Sequence, residues 1–241
     1  MKRLFLGTMT GVAGAWLLAT PMAEAQESVT VNAGVDLVSA YIWRGQDLGS
    51  AAVQPTASVA YKGISLSAFG SYGLVDTNDT KELDFTLAYE TGGLSLGVTD
   101  YFCLTNGNAY AQTKYFEYAA HKTAHVFEAF VGYDFGPASL TWYTNIAGAD
   151  GVNTSGKRAY SSYVEASAPF TLGGIDMSLT AGAVPYATDF YSDATGFAVT
   201  NIALAASKEL KLSPTFTLPV TASIAANPSA SKCYFTIGVS F

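Results

Sequence analysis

The chain has 241 residues and a net charge of −7, with 13% of its residues charged and 49% hydrophobic. This acidic balance argues against a nucleic-acid partner, because such partners favour a basic face. After residue 25 no apolar run reaches the ~18 residues that a membrane helix needs, so any burial in a membrane must use strands.

The sequence predicts a secretory signal peptide as its first element. Lys2 and Arg3 form its positively charged start, residues 4–19 are mainly apolar, and residues 23–25 read Ala-Glu-Ala, a small-residue cleavage site. We therefore expect cleavage after residue 25, with Gln26 as the mature start. Export places the rest of the chain in an oxidising compartment, where a disulfide between Cys103 and Cys233 is permitted but is not implied by their number.

Residues 26–241 form a single predicted domain, in which apolar and polar residues alternate with a period of two. This period is typical of strands that separate two environments, and a helix would scatter the apolar positions. The alternation predicts twelve strands, which occupy residues 29–44, 52–62, 64–74, 81–91, 93–102, 124–135, 138–147, 158–170, 174–186, 196–208, 211–225 and 232–241.

The connections between these strands alternate in length. Tight turns are predicted at Lys62-Gly63, residues 91–93, Gly136-Pro137, Gly173-Gly174 and Glu209-Leu210, and longer loops lie between them. An even strand number with short turns at one rim and long loops at the other is typical of outer-membrane barrels. The sequence therefore predicts an all-β, antiparallel, up-and-down transmembrane barrel in the bacterial outer membrane, with both termini periplasmic.

Parity divides each predicted strand into a lipid face and a lumen face. In residues 81–91 the apolar side chains fall on one face and Glu82 and Asp84 on the other, which predicts a polar lumen. The excess of lumen carboxylates predicts a preference for cations. Arg44 either pairs with a lumen acid or contacts an anionic solute at the mouth. The predicted pore-lining residues are Asp36, Arg44, Glu82, Asp84, Glu128 and Glu165.

Aromatic residues recur near the predicted strand ends. Amphipathic rings suit the headgroup layer of a membrane, so the sequence predicts two aromatic girdles on the outer wall. The girdle beside the short turns contains Tyr61, Tyr89, Tyr133, Phe170 and Phe241, and the girdle beside the loops contains Trp43, Tyr72 and Phe102.

The last strand ends in an aromatic residue. Phe235, Ile237, Val239 and Phe241 alternate along one face. This terminal pattern is similar to the signal that the outer-membrane barrel assembly machinery reads, and we expect that machinery to be a partner. The other interpretation is simply a last hydrophobic strand.

The predicted first strand carries a more specific pattern. Residues 36–45 contain the element aromatic-x-Trp-Arg-Gly, formed by Tyr41, Trp43, Arg44 and Gly45, and Pro55 follows in the second strand. This segment resembles the first hairpin of the TorF-type porin family. Residues 46–49 read Gln-Asp-Leu-Gly, where that family has a Ser/Thr-rich continuation. The resemblance implies a channel and names no solute.

The sequence is compatible with three functions. The first is a channel for small polar solutes or ions, with the long loop at residues 105–123 as a candidate plug. The second is a closed barrel with a structural or surface role, in contact with outer-membrane lipid and lipopolysaccharide. The third is a phospholipase-type enzyme, although His125 has no serine-nucleophile motif beside it. We expect no cofactor and no metal, since the helical spacing of His121 and His125 falls in the long loop and at the start of the next predicted strand. The oligomeric state is not predicted.

Overall fold

The computed structural model describes residues 28–104 and 114–241. The predicted signal peptide (residues 1–25) and residues 105–113 of the long loop lie outside the described residues. The strands are β1 (Thr30–Val38), β2 (Tyr41–Trp43), β3 (Gln46–Gly49), β4 (Ala52–Tyr61), β5 (Ile64–Gly73), β6 (Lys81–Thr91), β7 (Leu94–Tyr101), β8 (Cys103–Leu104), β9 (Val126–Asp134), β10 (Ser139–Gly148), β11 (Ser162–Leu172), β12 (Ile175–Val184), β13 (Ala198–Lys211), β14 (Thr217–Asn227) and β15 (Lys232–Ser240).

Twelve of these strands form a closed antiparallel barrel, as the alternation predicts. Each wall strand pairs with its neighbours along the chain, and β1 closes the ring by pairing with β15, with Leu37 opposite Val239. Closure leaves no unpaired sheet edge, which a barrel in a membrane requires. The remaining strands are the short β8, which extends β7 along β6, and the pair β2 and β3. The part of the chain that the structure describes contains no helix long and apolar enough to cross a membrane.

The two rims of the barrel differ in their connections. At one rim, three turns consist of two residues with positive φ: Lys62-Gly63, Gly92-Gly93 and Gly173-Gly174. Such turns match the twist of the strands they join. This rim also holds the start of β1 and the end of β15, and the longer connections lie at the opposite rim. That the short-turn rim faces the periplasm stays a prediction.

The turn predicted at Glu209-Leu210 is wrong. Strand β13 continues to Lys211, and residues 212–216 make the turn, in which Leu212 N–H donates to the Phe216 carbonyl. Pro214 lies within this turn, where its fixed φ is tolerated and its missing N–H costs no ladder hydrogen bond.

The side chains of the wall follow the predicted parity. In β6, Leu83, Phe85, Leu87 and Tyr89 are exposed on the outer wall, whereas Asp84 and Ala88 are buried inside. The outer face therefore presents aliphatic and aromatic groups. The inner face presents mainly small polar groups, and the buried inner Ser and Thr side chains are Ser67, Ser71, Thr99, Ser178, Thr180, Thr221, Ser223, Thr236 and Ser240.

The first predicted strand, residues 29–44, is wrong at its end. Strand β1 stops at Val38, the chain bends at Ser39 and Ala40, and residues 41–49 form a separate short hairpin of β2 and β3. We call residues 41–49 the inner hairpin, because its side chains contact wall strands on opposite sides of the barrel. Its tip is a two-residue turn with positive φ at Arg44 and Gly45, the turn type that favours hairpins.

Candidate functional site

The tip of the inner hairpin carries a buried arginine. Arg44 is 2% exposed and Glu128, on β9, is 0% exposed. The guanidinium holds both carboxylate oxygens, with Nη1 to Oε2 at 2.6 Å and Nη2 to Oε1 at 3.0 Å. Such two-point pairing is the strongest geometry that arginine makes with a carboxylate. The hairpin is therefore fixed to the wall strand that lies across the barrel from β1.

Two tyrosines complete the surroundings of Glu128. The Tyr191 hydroxyl donates to Oε2 at 2.6 Å and the Tyr101 hydroxyl donates to Oε1 at 3.0 Å. Burial and the charge of Glu128 raise the pKa of Tyr191 well above its usual value. The phenol therefore stays protonated and can donate to Glu128 while it accepts a hydrogen bond from Arg44 at 3.0 Å. With four donors, the carboxylate is satisfied without water.

Aromatic rings surround the Arg44 guanidinium. Its central carbon lies 3.9 Å from the ring centroid of Tyr143, 4.6 Å from Trp43, 4.7 Å from Tyr163 and 5.5 Å from Tyr191. Cation–π contacts are strongest in such desolvated sites. These rings belong to a buried cluster that joins the hairpin, the wall and the loop before β13. The cluster packs inside the barrel around Arg44.

Further carboxylates lie inside the barrel around Arg44. Tyr41, also on the hairpin, donates to Glu82 at 2.6 Å, and Tyr163 donates to Glu165 at 2.8 Å. Both hydroxyls bind an acid of the wall, so the acids are held in place rather than free. We call the set of charged groups at this level the lumen layer, and it consists of Arg44, Glu82, Asp84, Glu128 and Glu165.

Carboxyl groups outnumber basic groups in the lumen layer. Among the described residues, Arg44 is the sole lysine or arginine within 4.0 Å of one of its carboxylates. Of the predicted pore-lining residues, five meet in this layer. Asp36 instead lies on β1, half-buried, opposite Ser240 and Gln54. Arg44 takes the first of the two roles expected for it, an ion pair with a lumen acid.

The base of the inner hairpin is fastened to the next long connection. The Asp79 carboxylate accepts from the backbone N–H of Ser50 at 3.1 Å and from the Ser50 hydroxyl, and the Leu48 carbonyl accepts from Thr80 N–H at 3.0 Å. The hydrogen bonds from Ser50 lower the pKa of Asp79, and the Ser50 hydroxyl lowers it most. On the opposite side, Asn227 donates to the Gly45 carbonyl at 3.0 Å.

The predicted girdle beside the loops is wrong for Trp43 and Phe102. Trp43 is 7% exposed and packs inside the barrel against Tyr101, Phe190 and Tyr191, because the bend after Val38 turns the chain inward and ends the strand parity. Phe102 is buried under Tyr115 and His125.

The other girdle residues are exposed. Tyr72 lies beside the long connections, and the rest lie near the short turns: Tyr61, Tyr89, Tyr133, Phe170 and Phe241. Phe235 and Ile237 on the last strand are exposed in the same way. That these rings contact lipid headgroups, and that the last strand is an assembly signal, stay predictions.

His125 lies on the outer side of the barrel and not in the lumen. Its Nδ1 is 2.7 Å from Asp100 Oδ1, its Nε2 is 2.6 Å from the Tyr115 carbonyl oxygen, and Tyr118 stacks on its ring at 4.4 Å. Among the described residues, no serine hydroxyl hydrogen-bonds to either ring nitrogen. The described part of the loop predicted as a plug, residues 114–123, lies against this outer wall, and the inner hairpin occupies the lumen instead. Cys103 and Cys233 are both free thiols.

The sequence did not predict the aromatic partners of Arg44. Tyr143 and Tyr163 alternate correctly as inward residues of β10 and β11, but Tyr191 lies in a connection and carries no periodic signal. One signal was present in the hairpin itself. Tyr41-Ile42-Trp43 places three large apolar side chains in succession, which alternation between lipid and lumen does not predict, and which fits a strand buried on both faces.

Comparisons with known proteins give a likeness to solved barrels. A chain described as KdgM porin aligns with a TM-score of 0.45 and 8% identity, over 86% of this chain and 98% of that chain. A NanC porin structure aligns with a TM-score of 0.44 and 11% identity, over 87% of this chain and 99% of that one. No protein-family description and no curated protein matches the sequence. The fold assignment rests on the closed strand pairing of the chain itself.

Proposed function

We propose that the protein is a bacterial outer-membrane channel for the diffusion of small polar solutes, narrowed on its loop side by the inner hairpin. The observation that carries this proposal is the two-sided wall. Its outer face is aliphatic and aromatic, as in Leu87 and Ile224, and its inner face is built from small polar groups, as in Ser178 and Thr236. An apolar belt around a polar interior is the arrangement of barrels that conduct polar solutes.

The lumen layer gives the proposed channel a charge preference. Four carboxylates and one arginine line it, and Glu128 is already neutralised by Arg44. Within a low-dielectric wall the remaining acids act on a passing ion more strongly than they would in water. Glu82, Asp84 and Glu165 therefore favour cations over anions of the same size.

The second candidate is a closed barrel with a structural or surface role. One specific observation favours it, because Arg44 and Glu128 are almost inaccessible to water and aromatic rings fill the interior around them. If the inner hairpin stays in this position, the lumen layer blocks the barrel. The two candidates therefore differ in whether solute passes the hairpin.

Single-channel recording distinguishes them. The mature protein is refolded in detergent, its folding is verified by heat-modifiable migration, and it is inserted into a planar bilayer with a salt gradient. We expect discrete conductance steps and a reversal potential of the cation-selective sign, reduced in Glu165→Gln. Silence from the folded barrel contradicts the channel proposal and supports the closed barrel, and an anion-selective potential contradicts the charge preference.

A further inference from the structure

The outer wall has a groove near the loop rim, where the strands β4, β5 and β6 meet β8. Its volume is about 360 Å³, within the range of small-molecule pockets, about 300–1,000 Å³. Gly70 and Pro55 form its floor, with the position of a Cβ on Gly70 lying 3.4 Å from Pro55 Cγ. Leu83 and Leu104 form apolar sides. The groove exists because Gly70 has no side chain where its neighbours on the outer wall carry large ones.

Two ionisable residues line this groove, Lys81 and Glu82, and the Glu82 carboxylate accepts a hydrogen bond from Tyr41 inside the barrel. Lys81, the first residue of β6, is the cross-strand partner of Tyr72, and its Nζ lies 5.3 Å from the centroid of the Tyr72 ring. Among the described residues no carboxylate lies within 4.0 Å of this ammonium. A lysine whose stem lies on an apolar surface is suited to the boundary between acyl chains and headgroups.

We propose that this groove binds one phosphate-bearing membrane lipid, with an acyl chain over Gly70 and a phosphate on Lys81. The inference rests on the membrane location given with the proposed function and on the predicted periplasmic position of the short-turn rim, but not on an open lumen. The ligand chemistry follows from the two halves of the site, since an apolar cleft takes a hydrocarbon chain and an unpaired ammonium beside a tyrosine takes an anion. At the loop rim, the lipid that fits in an outer membrane is the phosphorylated lipid anchor of lipopolysaccharide.

Two other occupants fit the site less well. Residues 105–113 connect Leu104 to the segment that holds Tyr115, but they read Thr-Asn-Gly-Asn-Ala-Tyr-Ala-Gln-Thr and contain no acidic side chain to neutralise Lys81. A second copy of the chain would cover the groove with apolar groups and would not require an anion. Only a lipid supplies both the chain and the charge.

The test is native mass spectrometry of the folded protein in detergent, titrated with diphosphorylated lipid A and, in parallel, with its dephosphorylated form. We expect one lipid A to bind preferentially, with affinity about tenfold lower in Lys81→Met, because a charge-assisted contact to phosphate is lost. Gly70→Leu fills the floor of the groove and is expected to abolish the preferential site. The dephosphorylated lipid is expected to bind the unsubstituted protein as weakly as lipid A binds Lys81→Met.

The matched control is Lys62→Met. Lys62 lies at the opposite rim, with Nζ 5.2 Å from the Tyr61 ring, so it reproduces the lysine–tyrosine contact without the groove. Equal loss of binding in both lysine variants overturns the proposal, as does lipid binding that Gly70→Leu leaves unchanged or a dimer that displaces lipid. Failure of the channel proposal would appear as silence in the bilayer and would leave these lipid affinities unaffected.

Discussion

At the scale of single residues, Arg44 and Glu128 depend on each other. Both are removed from water, and each provides the charge that the other needs. Removing one partner of a buried ion pair leaves an uncompensated charge, which is costlier than the pair itself is stabilising. The aromatic rings around Arg44 reduce the free energy cost of leaving its charge unpaired, but they carry no negative charge.

We therefore expect Glu128→Gln to lower the free energy of unfolding by about 3–5 kcal/mol. The measurement is urea-induced unfolding of the barrel in lipid vesicles. Glu165→Gln is the control. Glu165 is buried in the same layer, but it accepts a hydrogen bond from the Tyr163 hydroxyl, and a neutral amide oxygen can accept the same bond. The expected loss in unfolding free energy is about 1 kcal/mol. Similar losses in the two variants would show that Arg44 does not depend on Glu128.

The sequence predicted the inward direction of Arg44 and Glu128 but not their contact. Their positions differ by 84 residues, and only the closed strand order together with the inward bend brings them within bonding distance. The outward position predicted for Trp43 was wrong, because the prediction extended the strand alternation through Ser39 and Ala40, where the strand ends. A period of two carries no information once the chain leaves the sheet.

At the scale of elements, the inner hairpin depends on close approach at its tip. A Cβ on Gly45 would lie 1.9 Å from the carbonyl oxygen of Thr200, and the residue has φ near +79°. Alanine at this position must therefore move the hairpin away from β13 or strain the backbone. Movement of the hairpin would widen the lumen layer.

We expect Gly45→Ala to increase single-channel conductance, or to produce conductance if the unsubstituted barrel is silent. Gly156→Ala is the matched control. Gly156 also has positive φ, +69°, but no atom lies within 4 Å of its Cβ position, so it tests backbone strain without the collision. Unchanged conductance in a folded Gly45→Ala barrel, or equal changes in both variants, would exclude the hairpin as the constriction.

We expect the base of the same hairpin to be sensitive to acid through Asp79. Hydrogen bonds from Ser50 lower the pKa of Asp79 below its usual 3.8 in the folded protein. A group with a lowered pKa stabilises the fold above its unfolded pKa, and this contribution is lost as the pH falls through the folded pKa. The attachment of the hairpin to residues 74–80 is therefore expected to weaken in acid.

Acrylamide quenching of Trp43 measures this weakening. In a Trp142→Phe background Trp43 is the only tryptophan after residue 25, and we expect its quenching to rise as the pH falls below about 4. Asp79→Asn should show high quenching at neutral pH and little further change in acid. Asp134→Asn, which removes a carboxylate at the opposite rim, should behave like the unsubstituted protein. An acid response that persists in Asp79→Asn would assign the effect to another group.

At the scale of the whole molecule, the alternation of apolar and polar residues predicted most of the architecture. Twelve runs of period two gave twelve wall strands, because each strand must separate an apolar from a polar side along its whole length. A predicted strand boundary was wrong where the turn lacks glycine: between β13 and β14, the strand β13 runs to Lys211. Closure by β1 and β15 follows from even strand number and not from any single residue.

The final prediction tests which side of the wall faces lipid. Leu87 lies near the middle of β6 and is 57% exposed on the outer face, whereas Ser58 lies on the inner face of β4. If the outer face is buried in hydrocarbon, Leu87→Lys makes folding into vesicles less favourable by about 2–4 kcal/mol. Ser58→Lys, which places the same charge in the lumen, should cost less, and Leu87→Ala measures the part due to lost apolar area. If water covered the outer wall instead, Leu87→Lys would be harmless and would improve solubility, because the ammonium would replace an exposed leucine at no cost in desolvation.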